Sequence, residues 1–138
     1  MEIQLNKQKS LVDVYKYTGL SGQKLGRVDE VAASPDDKSL ESLMNEACSE
    51  LETVLGEWGH ITSHDSNTAT IELTLPSNWN ESLLEPMTDN MQQFLSYSVL
   101  VKWYKETKGE AVDYYINIRN DIAMRIRKQL CSRKKPIR

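Results

Sequence analysis

His60 and His64 are the chain's two histidines and stand four residues apart, a spacing that would set two metal ligands on one face of a helix. The Gly, Thr, Ser, Asp and Asn residues around them disfavour helix, and neither an HExxH pattern nor a third clustered ligand accompanies them. No metal site is expected. Cys48 and Cys131 are far apart in sequence, show no CxxC spacing, and read as reduced thiols, Cys48 as a small packed one. Nucleophilic catalysis needs a base held beside a Ser or Cys, and with two histidines the options are few. Glu46, Glu50, Glu52 and Glu57 fall on the polar side of one helical pattern and read as a solvated face. Gly19, Gly22 and Gly26 follow G-x-x-G-x-x-x-G, which matches neither the dinucleotide pattern nor GxxxxGK[ST]. No catalytic residue and no cofactor are therefore expected.

Two features resist so plain a reading. Trp103 and Tyr104 sit near a helix end between Lys102 and Lys105, where aromatic residues serve cores and interfaces alike. From Met124 to Arg138 the chain carries Arg125, Arg127, Lys128, Arg133, Lys134, Lys135 and Arg138 with no acidic residue. The other ten of its 17 basic residues face all 20 acidic ones, so an acidic body ends in a basic tail. Such asymmetry marks an interaction segment for an acidic groove or a phosphate backbone. The last turn of a helix favours cations anyway, which accounts for part of that charge.

Length and hydrophobic period define the scaffold around these residues. At 138 residues with 39% hydrophobic content, the chain fits one domain with a core that needs neither metals nor disulfides. No apolar run approaches the roughly 20 residues needed to cross a bilayer, and the first residues lack the pattern of a signal peptide, so neither is expected. The glycines after Leu11-Val12-Asp13-Val14-Tyr15 predict a loosely organised, extended arm over 1–33 with at most a strand or a helical turn. Ser34-Pro35-Asp36-Asp37 reads as a helix start, followed by an apolar stripe through Leu40, Leu43, Met44, Ala47, Leu51, Val54, Leu55 and Trp58. Between 60 and 75 the period changes to two, with Ala69, Ile71, Leu73 and Leu75 alternating with Thr68, Thr70, Glu72 and Thr74, which predicts a hairpin across Asp65-Ser66-Asn67. Asn80 is a capping candidate ahead of a second helix over 86–107, and a third runs over 110–131 as its antiparallel partner. The expected fold is mainly α: a three-helix bundle over 34–131 with a short inserted β-hairpin, an extended N-terminal arm, and a basic C-terminal tail over 132–138. Leu43, Ala47, Leu51, Val54, Phe94, Leu95, Tyr115, Ile118 and Ile122 are its expected core.

These elements resemble a family, the small helical head-tail adaptor (connector) proteins that tailed phages and prophages mount beneath the portal. The likeness rests on the Ser34–Asp37 start leading into the first helix, on Phe94 to Lys105 with its Trp103-Tyr104 step, and on the basic end from Arg125 to Arg138. It covers about residues 34–138 and departs in the long N-terminal segment and the threonine-rich strand. The resemblance implies no enzymatic activity and a homo-oligomeric ring, commonly twelve-fold, that binds the portal and offers a platform to the next neck or tail-completion protein. Genomic DNA would pass through its channel without sequence-specific contact, and no membrane is involved. The protein would be made in the host cytoplasm and end in the virion neck. Portal docking then falls to Arg127, Lys128, Arg133, Lys134, Lys135, Pro136 and Arg138. A two-stranded hairpin is marginal alone, so Thr68, Thr70, Glu72 and Thr74, with Trp103 and Tyr104, are the expected subunit contacts. The alternative is a small helical nucleic-acid-binding or regulatory protein using the basic tail. Its acidic body and isoelectric point near 5.4 argue against that class.

Overall fold

A computed structural model of the chain describes residues 1–25, 39–64, 67–107 and 112–133. It is mainly helical, with a small three-stranded antiparallel sheet. In chain order the elements are β1 (Glu2–Asn6), α1 (Lys7–Leu25), α2 (Ser39–Leu55), β2 (Gly59–His64), β3 (Thr68–Leu73), α3 (Leu84–Thr107) and α4 (Val112–Leu130). The predicted helix start at Ser34–Asp37 lies outside the described residues, as does the link around Gly109. Among the described residues no helix is long and apolar enough to cross a membrane.

The main correction concerns the N-terminal segment, which is no extended arm. Ile3 and Leu5 alternate with exposed Glu2, Gln4 and Asn6, and that two-residue period forms β1. β1 pairs with β3, placing Ile3 opposite Ile71 and Leu5 opposite Ala69. Asn6 then caps α1, its Oδ1 accepting from the Lys9 amide at 3.2 Å. Leu11 and Val14, one helical turn apart, are buried in the core. The helix continues through Gly19 and Gly22 to Leu25. Each interior glycine costs about 0.5–1 kcal/mol relative to alanine, a cost that the docking of the first turns outweighs.

The amide of Gln92 on α3 holds the β1–α1 junction. Its Oε1 accepts from the Asn6 backbone N–H at 3.0 Å, and its Nε2 donates to the Asn6 carbonyl and to Ser10 Oγ. Ser10 Oγ donates in turn to the Gln92 carbonyl at 3.0 Å, and Ser96 Oγ donates to the Ser10 carbonyl at 3.3 Å. Ser10 and Ser96 are small enough for α1 and α3 to approach closely, and both are buried.

The hairpin forms where the period predicts it, and the third strand resolves its marginal stability within the same chain. The order β1-β3-β2 makes β3 central, so both of its edges are taken. β2 carries a bulge between Ile61 and Ser63, and Glu52 Oε2 accepts from the Ile61 amide at 3.3 Å; both features blunt this edge. Ala69, Ile71 and Leu73 point inward, while Thr68, Thr70 and Glu72 lie half-exposed on the outer face. α2 ends at Gly56, whose φ of 59° is left-handed. At Gly59 a Cβ would stand 2.6 Å from Leu73 Cδ2, so only glycine lets β2 leave the helix against β3.

From Phe94 to Tyr104, α3 has buried residues on every side, whereas Asp89 and Gln93 before that stretch are exposed. Met87, Met91, Phe94, Leu95, Val99, Leu100, Val101, Trp103 and Tyr104 are all buried. This corrects the expectation that Trp103 and Tyr104 face a neighbouring subunit. Tyr104 is 1% exposed and stacks on Tyr115 of α4 with centroids 5.3 Å apart, and Trp103 belongs to the same core. The nine expected core residues do meet in one cluster, with Val54 and Ile118 half-buried at its margin. Asn80 acts as a cap, its Oδ1 accepting from the Ser82 amide at 3.3 Å, and a short 3-10 turn over Glu81–Leu83 then runs into α3.

Two substitutions in α3 test this arrangement by opposite outcomes. Gln92→Ala leaves both polar backbone groups of Asn6 without their side-chain partner and should lose about 0.5–1.5 kcal/mol in denaturant unfolding. Ser98→Ala removes a buried hydroxyl that has no hydrogen-bond partner among the described residues and should be neutral or stabilising by up to about 1 kcal/mol.

Candidate interaction surfaces

The basic end of the chain is tied to the body at Arg133. Trp79, read from sequence as part of a loop, is 2% exposed, and its Nε1 donates to the Gln129 carbonyl of α4 at 2.8 Å. Gln129 Oε1 accepts from Asn90 Nδ2 on α3 at 3.0 Å, which fixes the end of the α3–α4 pair. Past α4 the backbone of Arg133 forms an antiparallel bridge with Trp79. The Arg133 guanidinium lies 5.4 Å from the centroid of the Trp58 ring and donates to the Leu130 and Ser132 carbonyls at 3.0 and 2.8 Å. Arg133 is thus committed to the fold and is no free docking cation. The signal for this was Trp58 at the end of its apolar stripe and a tryptophan in an otherwise polar loop, both of which need partners.

Among the other residues expected to meet a portal, Arg127 and Lys128 are exposed on the last turn of α4, beside exposed Arg125. Lys134, Lys135, Pro136 and Arg138 lie outside the described residues. Of the expected strand contacts, Thr68, Thr70 and Glu72 share the outer face of the central strand, and Thr74 is exposed just beyond it. A neighbour could meet that face but could not add a strand to β3, because β1 and β2 occupy both edges.

A groove of about 390 Å3 runs between α2 and α4. Phe94, Val54, Ala123 and Met124 contribute apolar surface, and Glu50, Thr53, Arg119, Asn120 and Arg127 rim it. Met124 is 55% exposed, whereas Phe94 is buried at 3%. Lys102 bridges Glu50 and, at 4.0 Å, Glu46, while Arg119 stands 3.9 Å from the other Glu50 oxygen. This network locks α2 to α3 and α4 and leaves Arg127 exposed at the rim. Such a groove suits an apolar side chain flanked by charges.

The chemistry-bearing residues stay apart. His60 and His64 lie on β2 rather than on a helix, so four residues separate them by about 13 Å along the strand. Cys48 is buried, and burial pushes its thiol pKa up, with the Lys7 charge opposing; a raised pKa makes a poor nucleophile. Among the described residues no group of three His, Cys, Asp or Glu could hold a metal.

The tether at Arg133 makes truncation position-sensitive. Cutting after Arg133 should leave the unfolding midpoint unchanged, whereas Arg133→Ala, or cutting after Leu130, should cost about 1 kcal/mol through the lost ring contact. Compared with known proteins, the chain matches no family model, no curated protein and no solved structure.

Proposed function

We propose that this chain is a structural assembly protein, the subunit of a head-tail adaptor ring of a tailed phage or prophage. In this reading copies join into a ring, commonly twelve-fold in such proteins, that seats on the portal and extends the DNA channel. The ring offers its far side to the next neck or tail-completion protein. Its work is binding and positioning, and its place is the neck of the virion.

The observation that carries the reading is the succession of α2, α3 and α4, in the order that the adaptor resemblance implies. The Trp103-Tyr104 step closes α3 against Tyr115 of α4, and a basic segment follows α4 in sequence. The tether of Arg133 to Trp58 and Trp79 supports a docking role for the basic residues after it, because it gives them a fixed point of departure from the body. A short extension containing Pro136 offers no rigid element for reading bases in a groove, so recognition of an acidic protein groove suits it better. Arg127, Lys128, Lys134, Lys135 and Arg138 are the cations this docking would use.

Two measurements test the proposal together: electron microscopy of the purified protein, alone and mixed with the portal of the same phage, and DNA-free co-sedimentation with that portal. Rings that co-sediment, and that detach when the chain is cut after Arg133, are the expected result. A chain that stays monomeric and ignores the portal, yet binds DNA with a steep salt dependence, would replace this reading with a nucleic-acid-binding one.

A further inference from the structure

Two helices of this chain carry opposite charge and sit on opposite flanks of α3. α1 holds four lysines, Lys7, Lys9, Lys16 and Lys24, against the one acid Asp13. α2 holds four glutamates, Glu41, Glu46, Glu50 and Glu52, and no basic residue. Their placement follows from α3. Gln92 and Ser96 face α1, whereas Phe94 faces the groove between α2 and α4. Positions 92 and 94 are about 200° apart around a helix of 3.6 residues per turn.

On the outward side of α1, Lys9, Val12 and Lys16 follow helical spacing i, i+3, i+7 and share one face. Val12 is 59% exposed, an apolar knob between two exposed ammonium groups. The groove on the far flank offers the counterpart: the apolar surface of Val54, Phe94, Ala123 and Met124 beside the α2 wall of Glu46 and Glu50. Glu57 lies exposed in the turn just after α2.

From this complementarity we infer that the α1 face of one copy docks into the α2–α4 groove of the next, with Val12 entering the groove and Lys9 and Lys16 meeting the exposed Glu46 and Glu57, since Glu50 is already paired with Lys102 and Arg119. The occupant is a second copy of this chain. The two patches are unlike, so the contact is head-to-tail and repeats from copy to copy. Because they lie on nearly opposite flanks, each step turns the chain by a small angle, and closure takes many subunits rather than two or three. The inference rests on the ring reading and supplies its lateral contact, which the central position of β3 denies to that strand.

A charge exchange tests it in the full-length protein, by native mass spectrometry and sedimentation alone and with the portal. Lys9→Glu/Lys16→Glu sets acid against acid and Glu46→Lys/Glu57→Lys sets base against base. Each pair should weaken self-association by about tenfold or more. Mixing the two variants restores attraction at both contacts, as does the fourfold variant, and both should recover assembly. Met124→Asp, which places an acid in the groove without touching either charged helix, should weaken assembly as well. All five positions are exposed, and an unchanged far-UV spectrum and thermal midpoint verify folding. Rings that form equally well in every variant would overturn this contact and leave the ring reading standing. A wild-type chain that remains monomeric alone and with the portal would overturn both.

Discussion

A helical stretch with buried residues on every side has no stable place alone in water, and α3 from Phe94 to Tyr104 is such a stretch. Its buried residues run around the whole circumference. Each large apolar side chain gains about 1.5–3 kcal/mol when covered, and no single partner could cover them all. α1 lies against one flank, α2 and α4 against the other, and the sheet extends the same core through Ile3, Leu5, Ala69, Ile71 and Leu73. The architecture is the set of covers that this one helix requires.

That requirement also settles where charge can go. With α3 buried, the polar faces of α1, α2 and α4 become the outside of the molecule, α1 and α4 with an excess of basic residues and α2 with acidic ones alone. The ion network of Lys102 and Arg119 around Glu50 satisfies the charges nearest the core, while Lys9, Lys16, Glu46 and Arg127 stay exposed. The same principle acts at the C-terminal end, where Arg133 lies over Trp58 and is removed from the pool of free cations. The surface left is a set of charged patches at defined positions around the core.

Much of this was legible in the residues. The stripes of α2, α3 and α4, the hairpin and the Asn80 cap each rest on strong local patterns that tertiary packing reinforces. The N-terminal segment was misread because its signals are brief: two alternating residues in β1, one cap at Asn6, and Leu11 and Val14 a single turn apart, followed by glycines that argue against helix. The forces that decide that segment are long-range, the pairing of β1 with β3 and the Gln92 amide standing in for a neighbouring strand at Asn6. The exposed aromatic interface expected at Trp103 and Tyr104 failed for a related reason. An aromatic pair beside lysines looks alike in a core and at an interface, and only the stacking on Tyr115 distinguishes them. The groove between α2 and α4 joins residues from three helices, so no local spacing reports it.

The whole account depends on α1 being a fixed cover of α3, since the buried core and the charged flank both require it. Native-state hydrogen exchange tests this most directly, comparing the paired amides of β1 and those of Leu11 to Val14 with the amides of α3 from Phe94 to Val101. Protection of the N-terminal amides on the same scale as α3, lost only in global unfolding, is the expected result. N-terminal amides that exchange like an unstructured chain while α3 stays protected would return the segment to an arm and contradict the account.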